Sequence, residues 1–215
     1  MRARTAWTAA QGEPAVTLLL RHGQTPMSVQ KRYAGRTDVP LTDAGLAQAA
    51  AAAKRLASAG IDTIVASPLR RTVQTAEAVA EVTGLPVATE DGFRETDFGA
   101  WEGLTFAEVR ERWPSEMTAW LADPEVAPPG GESFAEVSER VTAALHRVLA
   151  GRTGQRILIV SHVTPIKTLV AAALLAPPAA LFRMHLDVAA LCEIDWYADG
   201  PAVLRSYNDT AHLSS

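Results

Sequence analysis

Val16-Thr17-Leu18-Leu19-Leu20-Arg21-His22-Gly23 is a short apolar run that meets an arginine and a histidine and then stops at a glycine. It is too short for an ordinary helix, and a bounded apolar run of this length suits a strand buried on both faces. The pattern recurs twice. Ile61 to Ala66 leads into Ser67-Pro68-Leu69-Arg70-Arg71, and Ile157 to Val160 leads into Ser161-His162. Helical stretches separate these runs. Thr42 is placed to cap a helix, Leu46 to Ala59 is rich in alanine with Gly60 as its stop, and Thr72 to Thr83 reads as a helix closed by Gly84. A further strand is expected around Val87. Buried strands alternating with helices predict a three-layer α/β/α sandwich with a mostly parallel central sheet.

The rhythm is interrupted once. After an irregular stretch from Asp91 to Gly103, Thr105 with Glu108 and Ser133 with Glu136 have the spacing of capping boxes. Between them Trp113-Pro114 breaks a helix, and Asp123 to Gly131 is a Pro/Gly loop. A small helical cap over about residues 99–133 is therefore expected. Pro165 is placed as the first residue of the helix after the third apolar strand. Ala190 to Trp196 and Ala202 to Tyr207, joined across Ala198-Asp199-Gly200-Pro201, read as a hairpin.

The chain has 215 residues, 48% of them apolar and 20% charged, which suits one globular domain over 15–215. Met1 to Pro14 reads as a lead-in or the remnant of a linker. The net charge of −4 argues against non-specific nucleic-acid binding by this domain, which would leave a basic footprint. No stretch approaches the roughly 20 apolar residues of a membrane span. A single cysteine, Cys192, cannot form an internal disulfide, so a reducing cytoplasm is the expected location.

The chemistry is expected at the strand ends. In open parallel sheets, ligands bind outside the carboxyl ends of the strands. Three such ends bring two histidines, His22 and His162, and up to three arginines to one edge. Either histidine alone would more often be structural, and Arg70 or Arg71 alone could be a solvated face. Together they form a cationic cluster that repels itself unless an anion occupies it. A phosphate fits, because arginine offers a planar fork of donors and helix N-termini add backbone N–H groups. No third His, Cys or carboxylate stands at ligand spacing from His22 or His162, so no metal is expected.

These residues carry a specific resemblance. Leu19-Leu20-Arg21-His22-Gly23-Gln24-Thr25 resembles the signature of the histidine phosphatase superfamily, which includes phosphoglycerate mutases and acid phosphatases. Gly35-Arg36-Thr37-Asp38 with Pro40-Leu41-Thr42, Ser67-Pro68-Leu69 with Arg71, Glu95 with Phe98-Gly99 and Trp101-Glu102-Gly103, Gly130-Gly131-Glu132-Ser133, and Val160-Ser161-His162 resemble its further motifs in order. The resemblance implies that His22 is a nucleophile forming a phosphohistidine, with Arg21, Arg71 and His162 around the phosphoryl group. It implies Glu95 as general acid and base, with Asp97 the nearest alternative. Arg70 falls on a variable position. Ser28, Gln24, Gly35 and Val163 are the expected substrate-binding positions. Glu132 is either a group orienting an Arg or His, or merely a neighbour of a helix cap.

Two positions depart from the family pattern. Ser28 stands where many relatives carry Asn, and Val163 where many carry Gly. The run Val163-Thr164-Pro165-Ile166-Lys167 resembles the phosphatase domain fused behind a ribonuclease H domain in some actinobacterial proteins, described as acid or α-ribazole phosphatases. Nothing here resembles the ribonuclease H domain itself. The resemblance thus implies a phosphatase acting on a small phosphorylated metabolite without metal or cofactor. A phosphoglycerate mutase-type phosphotransferase and a non-catalytic phospho-ligand binder are the alternatives. Specificity is expected from Phe98 to Ser133, where Trp101, Phe106, Trp113 and Trp120 form either an apolar lid or the core of the cap. The strand Ala202 to Leu204 offers an edge through which two copies could pair.

Overall fold

The computed structural model describes residues 12–214, so the first eleven residues of the expected lead-in lie outside the described residues. Six strands form one sheet: β1 (Ala15–Arg21), β2 (Thr63–Ala66), β3 (Val87–Thr89), β4 (Arg156–Ser161), β5 (Leu191–Trp196) and β6 (Ala202–Asp209). Their spatial order is β3-β2-β4-β1-β5-β6. The first four pair in parallel, with Leu20 opposite Val160 and Ala66 also opposite Val160, while β5 and β6 add an antiparallel edge. The expected sandwich is what forms. Gly200, at φ +109, turns the closing hairpin.

Successive strand residues face opposite layers. Leu18, Leu20, Ile64, Ala66, Leu158 and Val160 pack on helices α2 (Asp43–Leu56) and α3 (Arg70–Thr83), through Ala52, Ala53, Leu56, Ala76 and Val79. Leu19, Val65, Ile157 and Ile159 face the other way, onto α6 (Phe134–Leu149) and α7 (Val163–Ala173). The chain leaves β1 and β2 toward one face and β4 toward the other. Because β4 lies between β1 and β2, its end is a topological switch point, where a crevice opens above the sheet. A short helix α1 (Pro26–Val29) follows β1, and α4 (Phe106–Arg112) and α5 (Pro114–Ala122) form the inserted segment.

Local chemistry explains the boundaries. Thr42 Oγ1 accepts the Gly45 N–H, and both expected capping boxes close, at Thr105/Glu108 and Ser133/Glu136. Helix α3 begins two residues before Thr72, and Gly84 ends it at φ +73. Pro165 requires a correction. It is the third residue of α7, not the first, because His162 is the N-cap and Val163 opens the helix. Proline is tolerated there since no first-turn N–H has an intrahelical partner. The two N–H groups ahead of it are thereby left for a side chain.

Cap residues Trp101, Val109, Met117 and Trp120 form a separate apolar cluster, joined by Phe98, Phe134 and Leu181. Trp101 is fully buried, its ring edge-on to Trp120 at 5.4 Å. Among the described residues, no helix is long and apolar enough to cross a membrane.

Candidate active site

The site starts from the end of β1. Gly23 is required there by a close approach: a Cβ would lie 2.4 Å from the Gly45 carbonyl oxygen at the start of α2. That packing fixes His22 beside the crevice. Its Nδ1 lies 2.8 Å from the Gly23 carbonyl oxygen, which can only accept, so Nδ1 carries the proton. Nε2 therefore holds the free lone pair, and nothing among the described residues hydrogen-bonds to it. Burial, reinforced by the charges of Arg71 and Arg21, pushes the imidazole well below its ordinary range, with the Gly23 contact working the other way. His22 is accordingly neutral near pH 7, the state a nucleophile needs.

His162, at the end of β4, lies with its ring centroid 5.2 Å from that of His22. Its Nδ1 accepts the Arg71 Nε–H at 3.2 Å, so its Nε2–H donates to Ser67 Oγ at 2.8 Å. The sequence placed Ser67 in the arginine motif without a role; here it fixes the tautomer of His162. Burial, followed by the charge of Arg71, depresses His162 as well. Arg71 is almost wholly buried. Its Nη1 donates to the Thr37 carbonyl, and Nη2 to those of Ala34 and Gly35. That loop is itself held by Glu102, whose carboxylate accepts the N–H groups of Gly35 (2.9 Å), Arg36 (2.9 Å) and Thr37 (3.4 Å) and the Thr37 hydroxyl (2.7 Å). Gly35 must be glycine here, since a Cβ would lie 2.0 Å from the Thr96 carbonyl oxygen.

Arg21 donates from Nη1 to the Leu186 carbonyl at 2.6 Å, while its buried Nε has no partner among the described residues. Burial pushes this guanidinium down to about 10, opposed by the charge of Glu95. A buried, unpartnered cationic donor beside a neutral histidine is a place for an anion.

Glu95 faces this group from the N-terminus of α7. Its carboxylate accepts Val163 N–H at 3.0 Å, Thr164 N–H at 3.2 Å and Thr96 N–H at 2.9 Å. These are the N–H groups left free ahead of Pro165, at the N-terminus of the helix. The backbone behind Glu95 is clamped by Arg140, which donates to the carbonyls of Gly92, Arg94 and Glu95. Glu132 in turn grips Arg140 with both oxygens, at 2.7 and 2.9 Å. Although burial opposes its ionisation, the Arg140 fork and the Asp97 N–H hold Glu132 below its ordinary range. Glu132 thus orients an arginine, but one the sequence did not single out.

Arg21, His22, Glu95, Ser28 and Val163 line one cavity of about 400 Å³. Arg71 and His162 lie behind its wall, one hydrogen bond from each other. Ser28 contributes its side chain, although its hydroxyl is engaged in the cap of α1, bonded to Thr25 N–H and carbonyl. Val163 contributes the N–H bound by Glu95. Gln24 and Gly35 lie off the cavity, Gln24 accepting the Thr42 hydroxyl and Gly35 holding Arg71 and Glu102. Of the four expected aromatics only Trp120 reaches the cavity, where Tyr33, Phe98, Phe134 and Phe182 complete an apolar wall. Lys167, also on this wall, was quoted in the sequence only as part of a motif.

A bifunctional protein of Mycobacterium tuberculosis is 49% identical over 208 residues, covering 96% of this chain and 57% of that protein. The chain thus spans little more than half the length of such relatives. A probable phosphoglycerate mutase of Yersinia enterocolitica is 36% identical over 203 residues, 91% of this chain and 93% of the relative. Among solved structures, a mycobacterial glucosyl-3-phosphoglycerate phosphatase in complex with VO3 superposes with a TM-score of 0.83 at 32% identity, covering 91% of this chain and all of the other. A putative alpha-ribazole-5'-P phosphatase from Escherichia coli gives 0.83 at 28% identity, covering 91% of this chain and 97% of the other. The family model for the histidine phosphatase superfamily, branch 1, matches residues 17–210, and the chain belongs to that superfamily.

Proposed function

We propose that this chain is a metal-independent phosphatase of the acid phosphatase type, hydrolysing small phosphomonoesters through a phosphohistidine on His22. The observation that carries the reading is the fixed tautomer of His22, which leaves the Nε2 lone pair free in a cavity shared with Arg21 and Glu95. Nε2 attacks phosphorus while the bond to the leaving oxygen breaks, and protonated Glu95 gives that oxygen its proton. Water then attacks the phosphohistidine, Glu95 takes its proton, and the N–P electrons return to Nε2. Arg21 meets the equatorial oxygens throughout. Arg71 and His162 act from behind the wall, unless the ligand draws Arg71 off the carbonyls of Ala34, Gly35 and Thr37.

One solved neighbour, a phosphatase in complex with VO3, supports the phosphatase reading. The single cysteine, Cys192, is buried and unpaired, in keeping with a reducing cytoplasm. In a longer protein, as in the bifunctional relative, a second domain would accompany this one.

Two results test the reading. Acid-free quenching during turnover of a phosphomonoester should trap a phosphoryl group on His22, found by mass spectrometry of the peptide. Turnover should also persist in excess EDTA, since Arg21 and Arg71 supply the charge that Mg²⁺ supplies in other phosphoryl-transfer sites. A phosphorylated residue other than His22, or a loss of activity in EDTA that added metal restores, would refute the corresponding part.

A further inference from the structure

Arg21 is aimed by a peptide unit that a distant part of the chain holds. Its Nη1 donates to the Leu186 carbonyl at 2.6 Å. The N–H on the opposite edge of that same peptide belongs to Asp187, and it donates to Asn208 Oδ1 at 2.7 Å. The peptide is trans, a rigid plane whose C=O and N–H point in opposite directions. Asn208 therefore fixes one edge of the plane while Arg21 is bonded to the other. A second bond joins the same two residues, since Asn208 Nδ2 donates to Asp187 Oδ2 at 2.9 Å. Two bonds between one pair leave the plane little freedom to rotate.

The backbone around Asn208 is bent to deliver that side chain. Leu191 pairs with Asp209 and Glu193 with Ser206, so Cys192 alone faces both Tyr207 and Asn208 across the β5–β6 ladder. Such a bulge re-aims a side chain. Asn208 sits at φ +55, a left-handed conformation that asparagine tolerates better than most residues, and its N–H reaches only Cys192 Sγ, at 3.4 Å. A regular ladder would satisfy this N–H better; what the irregular one provides is the contact with Asp187. The loop so anchored also touches the nucleophile: Ala189 N–H donates to the His22 carbonyl at 3.1 Å, and Arg21 N–H to the Ala190 carbonyl at 3.0 Å. Asn208 and then His185 hold the Asp187 carboxyl below its ordinary range. Burial acts most strongly on Arg21, and the charge of Asp187, after that of Glu95, opposes it.

We propose that Asn208 is a positioning residue, which through the Leu186–Asp187 peptide sets the direction of the Arg21 guanidinium in the cavity. This role rests on the reading of Arg21 as the cation that meets the phosphoryl oxygens.

Asn208→Gly is the deleting variant, because glycine adopts φ +55 without strain and only the side chain is lost. With 4-nitrophenyl phosphate as substrate, it should lower kcat/KM by roughly ten- to a hundredfold and weaken inhibition by orthovanadate by about tenfold, as expected when a phosphoryl-binding group is misplaced. On an Arg21→Ala background the same substitution should change kcat/KM less than about threefold, because the side chain it aims is gone. Asn208→Asp keeps the acceptor but sets a carboxylate against Asp187, and should lose activity as the glycine variant does. Adding Asp187→Asn to it restores one donor and one acceptor across the pair, and should recover most of the loss. This exchanged pair carries the test if the glycine variant does not fold. Unchanged vanadate inhibition in Asn208→Gly, or an equal loss of kcat/KM on both backgrounds, would make Asn208 merely structural and overturn the proposal. An exchanged pair no better than Asn208→Asp alone would overturn it too. If the wild-type chain neither hydrolyses the ester nor is inhibited by vanadate, the phosphomonoesterase reading itself fails, an outcome distinct from these.

Discussion

Replacing His22 by alanine is expected to reduce hydrolysis of every phosphomonoester by roughly four orders of magnitude or more, about 5.5 kcal/mol of transition-state stabilisation. The size follows from the loss of a covalent route. Neither Glu95 nor His162 is free to take its place, since Glu95 is bound by three N–H groups and His162 spends both ring nitrogens on Arg71 and Ser67. The fold should survive, because the His22 side chain makes one hydrogen bond, to its neighbour's carbonyl. His22→Asn, whose amide can still donate to that oxygen, serves as the second variant. Both should melt cooperatively within several degrees of the parent while lacking turnover. Retention of more than a few per cent of activity by either variant would remove His22 from its assigned role.

Much of this site was legible because parallel strands buried on both faces are written as continuous apolar runs. Arg21 with His22, and Ser161 with His162, follow such runs directly, so their common edge follows from the apolar pattern alone. What supports them could not. Glu102 reaches Gly35 across 67 residues, and Arg140 reaches Glu95 across 45. Such pairings depend on how the cap folds back over the sheet, and no short-range pattern encodes them. The start of α7 was misplaced for a related reason. Proline favours the first turn of a helix, but tolerance extends through that turn, and only the demand of Glu95 for two N–H groups shows where the helix opens. The aromatic wall was half visible. Trp120 was among the residues expected, but Phe182 stands on the 3₁₀ turn Pro178–Arg183, after β4 and far outside the segment expected to set specificity.

Glu95→Gln is expected to act selectively, by leaving group. An alkoxide leaves poorly and needs a proton in the transition state, whereas a nitrophenolate departs as a stable anion. Removing a general acid should therefore slow phosphorylation of His22 by alkyl phosphates by roughly two or more orders of magnitude, and by nitrophenyl phosphate much less. The structure adds a complication. Thr96, Val163 and Thr164 all donate to the carboxylate, and a glutamine amide would set its own N–H₂ group against one of those N–H groups. Some loss of order at the start of α7 would follow, lowering the rate for every substrate alike. The ratio between the two substrate types is unaffected by such a uniform loss, so it is the quantity to measure. Single-turnover kinetics isolates it, because hydrolysis of the phosphohistidine, which also needs Glu95 as base, then falls outside the observed step. Equal slowing of alkyl and nitrophenyl phosphates would show that Glu95 only anchors α7 beside the cavity. The proton would then have to come from another acid, and Asp97, two residues along the same segment, is the first to replace.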